Sequence, residues 1–165
     1  MGVEIERKFL VQNNAWRPQT THSQPMAQGY VSSSPQHTVR VRVAGEQAYL
    51  TLKGPVYGVS RAEFEYEVPV AEARQMLGLF CQGRRLEKVR HRVVVGRHTW
   101  EIDEFSGENQ GLIVAEIELS APDEDFERPE WLGEEVSGQA RYYNSQLVAH
   151  PYSGWSEGEA SGEGA

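Results

Sequence analysis

Full charges recur at every second residue in several segments of this 165-residue chain, and most segments carry one sign. Residues two apart share one face of a β-strand, so each segment would present a row of like charges. Acidic rows offer oxygen ligands of the kind that Mg²⁺ or Mn²⁺ prefers, and basic rows offer donors to phosphate oxygens. The acidic rows are Glu4 and Glu6 (followed by Lys8), Glu63, Glu65 and Glu67, Glu101 and Asp103, and Glu116 and Glu118; the basic positions are Arg40 and Arg42, Lys53, and Lys88, Arg90 and Arg92.

The same alternation predicts the elements that carry these rows. Gly, Pro and Asn residues between the segments suit hairpin turns, so the strands should follow one another mostly as a meander. Helical spacing of apolar residues predicts a helix over residues 70–80, and residues 139–150 and 123–131 are further helix candidates. The eight predicted strands lie near residues 2–11, 26–33, 37–44, 47–54, 59–69, 85–96, 98–105 and 111–120.

Two arrangements would fit eight such strands. In a β-sandwich, the charges would simply face water. In a closed barrel, they would line an interior that has room for side chains and one small ligand. The sorting of acids and bases onto different strands favours the barrel, because a solvated face has no reason to separate the two signs. The predicted fold is therefore mainly β, a closed eight-stranded antiparallel barrel with a few flanking helices, and a metal-bound polyphosphate would satisfy both signs.

Composition excludes several other classes of protein. A net charge of −8 is unfavourable for binding the phosphate backbone of a nucleic acid. The single cysteine, Cys81, cannot form an internal disulfide, and the histidines show no zinc-binding spacing. The N-terminus is charged from residue 4, and no apolar run is long enough to cross a bilayer. We therefore expect a cytoplasmic protein, a monomer or homodimer, with no nucleic-acid or membrane partner.

The chain divides into two parts by composition. Residues 1–150 carry all of the predicted strands and are long enough for one domain. Residues 151–165 are rich in Gly, Ser and Glu and contain no Lys or Arg. Such a segment buries too little apolar surface to become ordered, so it is predicted to be a disordered tail.

The opening residues Glu4, Glu6 and Lys8 form an E-x-E-x-K pattern that resembles the signature of the CYTH superfamily, also called triphosphate tunnel metalloenzymes. The likeness extends over nearly all of residues 2–150, which would make this region a CYTH triphosphate tunnel domain. Further segments match in family order: Gln28-Gly29-Tyr30, Arg40-Val41-Arg42, Thr51-Leu52-Lys53, residues 60–65 and 84–90, Glu101-Ile102-Asp103, Glu116-Ile117-Glu118 and residues 133–136.

The resemblance implies roles for these positions, with Mg²⁺ or Mn²⁺ as the cofactor. Arg141 would reach the tunnel mouth, where Gln139 and Ala140 replace an Asp-Lys pair common in similar proteins. For Tyr30 and Arg141, a packed tyrosine and a surface arginine are the alternatives. The implied metal ligands are Glu4, Glu6, Asp103, Glu116 and Glu118, supported by Glu63 and Glu65; the implied phosphate-binding residues are Lys8, Arg40, Arg42, Lys53, Lys88, Arg90 and Arg141; the implied catalytic residues are Glu4, Glu6, Lys8 and Tyr30.

The predicted function is metal-dependent hydrolysis of a small-molecule triphosphate by in-line attack of water. Inorganic triphosphate, cleaved to pyrophosphate and phosphate, is the expected substrate, because the recognisable binding groups are charges and no residue set is placed to read a base. The alternatives are a thiamine triphosphatase, a nucleoside triphosphatase, a class IV-type adenylate cyclase and a non-catalytic polyphosphate or nucleotide sensor.

Overall fold

The computed structural model describes residues 2–156, which form nine strands, two α-helices and four short 3₁₀ turns. None of the helices in this range is long and apolar enough to cross a membrane. The strands are β1 (Gly2–Val11), β2 (Thr20–Ser33), β3 (Thr38–Ala44), β4 (Gln47–Lys53), β5 (Ser60–Val68), β6 (Arg85–Val95), β7 (His98–Phe105), β8 (Ile113–Glu118) and β9 (Leu132–Glu135), and the helices are α1 (Val70–Phe80) and α2 (Asn144–Leu147).

The sheet closes on itself through β1. Its strand order is β5-β4-β3-β2-β6-β7-β8-β1, and β5 pairs back onto the first residues of β1, with every pairing antiparallel. The predicted closed eight-stranded antiparallel barrel is confirmed. The ninth strand, β9, was not predicted; it pairs with Phe9 and Val11 of β1. Its sequence, LGEE, is too short to show any alternation.

Most apolar side chains lie outside the barrel wall, because the charged face of each strand points inward. One outer cluster, around Phe9, Trp100 and Trp131, packs under the loop that follows β8. A second cluster contains the face of α1 that covers β3 and β4, and it buries Val41 and Leu77. The hydrophobic core of this protein is therefore a set of layers around the barrel.

Helix α1 covers the predicted residues, but three other segments differ from the prediction. Strand β2 begins at Thr20, earlier than predicted. Pro25 does not interrupt the strand, because this part of β2 pairs only with β6 and no strand on its other side needs the missing N–H of Pro25. Residues 139–150 form a 3₁₀ turn (Ala140–Tyr142) and the short α2 instead of one helix. Residues 123–131 contain no helix.

The predicted tail begins too early at residue 151. Residues Tyr152–Gly154 form a 3₁₀ turn, and the Trp155 ring lies 5.3 Å from the ring of Tyr142 and 5.1 Å from that of Tyr152. The indole Nε1 of Trp155 donates to the backbone oxygen of His150 at 3.0 Å. Only 9% of Trp155 is exposed, because it completes a third outer cluster with Leu86 and Phe105. The rest of the predicted tail, residues 157–165, lies outside the described residues.

We expect Trp155→Ala to destabilise the protein, because the change opens a gap against Tyr142 and Tyr152. Loss of a buried tryptophan costs about 3 kcal/mol, which for a chain of this length lowers Tm by roughly 6–12 °C. Thermal unfolding followed by circular dichroism measures the change. Leu79→Ala is the control, since Leu79 is exposed and its loss should move the free energy of unfolding by no more than about 0.5 kcal/mol. Equal Tm values for the two variants would show that residues 151–156 add nothing to the fold.

Candidate active site

The barrel encloses a cavity of about 510 Å³ that is lined mainly by polar and charged side chains. Strand alternation explains the lining, because each charged row occupies the inward face. Most of the residues predicted from the sequence meet in this one cavity. Those that line it are Glu4, Glu6, Lys8, Tyr30, Arg40, Arg42, Lys53, Glu63, Glu65, Lys88, Arg90, Arg92, Glu101, Glu116 and Glu118.

Acidic and basic strands face each other across the cavity. In a ring of eight strands, strands four places apart are opposite, and the observed order sets β8 opposite β3, β5 opposite β6 and β7 opposite β4. Each of these pairs joins a strand with inward acids to a strand with inward cations. A ligand in the cavity would therefore meet carboxylates on one side and ammonium or guanidinium groups on the other.

The acidic wall formed by β1 and β8 contains uncompensated negative charge. Glu6 lies directly opposite Glu118 across the two strands, and Lys8 lies opposite Glu116. Burial and the nearby carboxylates of Glu116 and Glu4 raise the pKa of Glu6 to about 7. Burial, Glu4 and the other acids also raise the pKa of Glu118. A divalent cation would remove this repulsion, so the donor set fits Mg²⁺ or Mn²⁺.

Lysines bind two of the carboxylates on this wall. Lys8 Nζ donates to Glu116 Oε1 at 2.8 Å, and Lys53 Nζ donates to both oxygens of Glu4 at 3.0 and 2.9 Å. Burial would lower the pKa of Lys8, but Glu116 and Glu6 outweigh it and raise that pKa above its usual range. Within residues 2–156, no three acidic, histidine or cysteine side chains form a ready metal site. The wall supplies oxygen ligands without a preformed coordination geometry.

The basic side contains uncompensated positive charge. Desolvation inside the barrel and the charges of Arg40 and Arg90 lower the pKa of Arg42 to about 9. Desolvation, with Arg90 and Arg42 nearby, also lowers the pKa of Lys88 to about 7, although Asp103 acts in the opposite direction. An anion with several oxygens would relieve both costs, since it would accept hydrogen bonds and neutralise the cluster.

Asp103, predicted as a metal ligand, bonds to two cations of the neighbouring strand. It is fully buried and is not among the residues that line the cavity. Its oxygens accept hydrogen bonds from Lys88 Nζ at 2.7 Å and from Arg90 Nε and Nη2 at 2.8 and 2.9 Å. Burial alone would raise the pKa of Asp103, but these two cations lower it well below its usual range. Asp103 therefore holds Lys88 and Arg90 in place, and its role as a metal ligand stays a prediction.

Arg141 also departs from its predicted position. Its guanidinium carbon lies 5.2 Å from the ring centre of Tyr142 and 5.6 Å from that of Trp155, and Nη2 donates to Gln139 Oε1 at 3.2 Å. The 3₁₀ turn at residues 140–142 directs the side chain onto the third outer cluster. Arg141 does not line the cavity, so the alternative of a packed surface arginine describes it.

Two amide side chains were missed as site residues. Gln28 is fully buried and bonds to Arg42, and Asn144 lines the cavity and bonds to Lys88. Gln28 could have been predicted from the sequence, because it is a neutral amide at an inward position of the Gln28-Gly29-Tyr30 segment. The residues around Asn144 contain no pattern that predicts a site residue. Gly29, beside Gln28, faces outward under α1, where a Cβ would lie 2.6 Å from the Cβ of Cys81.

Comparison with known proteins gives a single family. Residues 2–152 match the sequence profile of the CYTH domain. The chain belongs to the CYTH domain family. A relative from Acetivibrio thermocellus described as an inorganic triphosphatase is 46% identical over 159 residues, which cover 95% of this chain and all of that protein.

Two further matches agree with this assignment. A protein from Nitrosomonas europaea, also described as an inorganic triphosphatase, is 35% identical over 88% of this CYTH chain and 96% of its own length. A solved structure of an inorganic triphosphatase superposes with a TM-score of 0.63 at 33% identity, covering 88% of this chain and 97% of that one. The family predicted from the E-x-E-x-K segment is confirmed.

We expect Arg42→Met to separate anion binding from stability in this CYTH barrel. The change removes a desolvated cation that no carboxylate pairs, so Tm should stay level or rise, while the Kd for tripolyphosphate should rise at least tenfold. Calorimetric titration and thermal unfolding measure the two quantities. Arg74→Met, at an exposed position of α1, is the matched control and should change neither. A Kd within twofold of the unmodified protein in Arg42→Met would remove Arg42 from the binding site.

Proposed function

We propose that this CYTH protein hydrolyses inorganic triphosphate to pyrophosphate and phosphate and requires Mg²⁺ or Mn²⁺. The observation that carries the proposal is the cavity inside the closed barrel, in which acidic strands face basic strands. Such a cavity matches a linear polyanion that arrives with a divalent cation. The descriptions of the two relatives, which are 46% and 35% identical over nearly their whole lengths, support the same substrate.

Substrate binding would fall to the basic strands. Arg40 and Arg42 extend from β3, and Lys88 and Arg90 from the neighbouring part of the ring on β6. Guanidinium groups can donate to two oxygens at once, which fixes a phosphate group in orientation as well as in position. These donors are held before the substrate arrives, so little reorganisation is needed as charge shifts during phosphoryl transfer.

The divalent cation would be held by Glu4, Glu6, Glu116 and Glu118, the acids of the β1 and β8 wall. When bound, it supplies charge neutralisation and Lewis-acid activation. Displacement of Lys53 from Glu4 and of Lys8 from Glu116 would release two more ammonium groups for the phosphate oxygens. Glu63 and Glu65 lie next to Lys53 and Arg40, at 3.5 Å each, and would keep these cations in place.

One group is suited to handle a proton near the reacting phosphate. The Tyr30 hydroxyl accepts a hydrogen bond from Gln28 Nε2 at 3.2 Å, which leaves its own proton free to donate into the cavity. We assign Tyr30 to the catalytic step. Lys88 Nζ donates to Asp103 and Asn144, at 2.7 Å each, and serves as a cation for the phosphate oxygens.

A substrate panel tests this function. With Mg²⁺ or Mn²⁺, phosphate release from tripolyphosphate should exceed release from ATP and from thiamine triphosphate by at least tenfold in kcat/KM, which corresponds to about 1.4 kcal/mol of transition-state stabilisation. A chelator should abolish release. A preference for ATP or thiamine triphosphate would show that the proposed substrate is wrong. Cyclic AMP among the products would indicate a cyclase, and tight binding without turnover would indicate a sensor.

The metal assignment predicts a specific defect in Glu118→Gln. The fold should survive, since Glu118 faces the cavity and carries a raised pKa that signals repulsion, but the Mg²⁺ concentration for half-maximal rate should rise at least tenfold. Phosphate release measured across a Mg²⁺ series gives this value. Glu46→Gln, in the exposed turn between β3 and β4, should keep the original Mg²⁺ dependence. An unchanged dependence in Glu118→Gln would exclude Glu118 as a ligand.

A further inference from the structure

Two neutral amides form a continuous bridge between two cations of the cavity. Arg42 Nε donates to Gln28 Oε1 at 2.8 Å, and Gln28 Nε2 donates to Asn144 Oδ1 at 3.2 Å. Lys88 Nζ donates to the same Asn144 oxygen at 2.7 Å. The bridge joins β3, β2, the start of α2 and β6, and so connects the phosphate-binding side chains of two strands that are not adjacent in the barrel.

The orientation of both amides follows from the chemistry of the ends. Arginine and lysine can only donate, so each must face an amide oxygen. The oxygen of Gln28 therefore points to Arg42, and its nitrogen must point to Asn144 and to Tyr30. The oxygen of Asn144 then receives Lys88 and Gln28 together. Neither amide can flip without setting a donor against a donor, so the bridge has one arrangement.

Of the two cations that the bridge joins, only Arg42 has no carboxylate partner among the described residues. Lys8 bonds to Glu116, Lys53 to Glu4, and Lys88 and Arg90 both bond to Asp103. Arg42 has only the amide of Gln28 as a side-chain acceptor in the described part of the chain. An amide can fix one N–H of a cation while leaving its charge available, whereas a carboxylate would neutralise that charge and compete with phosphate for it.

Asn144 connects this bridge to the C-terminal segment of the chain. Its neighbours Tyr142 and Leu147 are buried in the third outer cluster, and they fix the chain on either side of it. Gly138, Tyr143 and Ser145 of this segment also line the cavity. The segment that closes the barrel from outside thus contributes one side chain to the inside.

We propose that Gln28 and Asn144 are positioning residues that hold Arg42 and Lys88 in a fixed orientation for the phosphate chain without placing further negative charge beside them. This inference rests on the proposed function and extends it to two residues that have no charge of their own. They act through the cations, and neither is required to touch the substrate. A carboxylate at either position should therefore harm binding more than simple removal of the amide.

Two substitutions at Asn144 test the inference, because they should affect Tm and the Kd for tripolyphosphate in opposite order. Asn144→Asp keeps the shape but places a second carboxylate on Lys88, which already bonds to Asp103, so Tm should stay within a few degrees, but the Kd for sodium tripolyphosphate should rise at least tenfold. Asn144→Ala removes the bridge without adding charge, so Tm should fall further while Kd rises only a few-fold. Calorimetric titration in a chelating buffer gives Kd without turnover, and thermal unfolding gives Tm.

Asn109→Asp is the matched control. Asn109 is buried outside the barrel, where its Oδ1 accepts from the backbone amide of Tyr152 at 2.9 Å, and an aspartate can keep that bond. Its Kd should equal that of the unmodified protein, which shows that one added charge elsewhere is not enough.

The outcomes separate the inference from the proposed function. If the unmodified protein cleaves tripolyphosphate and both Asn144 variants bind it within twofold of normal, the amide bridge is only structural and the inference is overturned alone. If Asn144→Ala weakens binding more than Asn144→Asp, charge preservation is not the role and the inference is also overturned. If the unmodified protein binds tripolyphosphate without releasing phosphate, the hydrolytic function fails while the predicted ranking of Kd values still decides the bridge. Absence of binding by the unmodified protein would overturn both.

Discussion

Many charged side chains point into the interior of a closed barrel, and this arrangement governs both the packing and the binding properties of the protein. Charges removed from water repel like neighbours strongly and are costly to bury without partners. The protein meets part of that cost with ion pairs such as Lys8 with Glu116 and Arg90 with Asp103. The part of that cost that ion pairs do not offset shifts two pKa values: the pKa of Glu6 is raised and the pKa of Arg42 is lowered. Those displacements mark where a cation and an anion would each be bound most favourably.

Because the interior is charged, hydrophobic stabilisation must come from outside the wall. Three outer clusters supply it, beneath the loop after β8, beneath α1 and beneath the C-terminal segment. The last of these links stability to the site. Trp155 and Tyr142 anchor the segment on the outer face, and the same segment places Asn144 against Lys88. A residue that packs outside the barrel can therefore influence the orientation of a cation inside it.

The acidic and basic walls have different roles, since one would bind a cation and the other would bind phosphate oxygens. Groups that repel one another on the same wall become complementary to a metal-bound polyphosphate across the cavity, so one arrangement serves affinity and charge stabilisation during phosphoryl transfer. Asp103 shows how the division is kept. By accepting hydrogen bonds from both Lys88 and Arg90, it fixes these cations, and it is not itself among the residues that line the cavity.

Eight of the nine strands, the sign of each inward row and the helix over residues 70–80 were predictable from the sequence, because period-two and helical spacing are local properties of the chain. The sequence also contains the E-x-E-x-K segment that identified the family. The contacts of Asp103 with Lys88, of Arg141 with Trp155 and of Asn144 with Lys88 were visible only in the folded structure. Each depends on which distant segments meet, and residues 56 positions apart, such as Lys88 and Asn144, leave no periodic signal. The same reason hid β9 and the packing of Trp155, since a four-residue strand and a single anchored tryptophan acquire their partners only when the barrel closes.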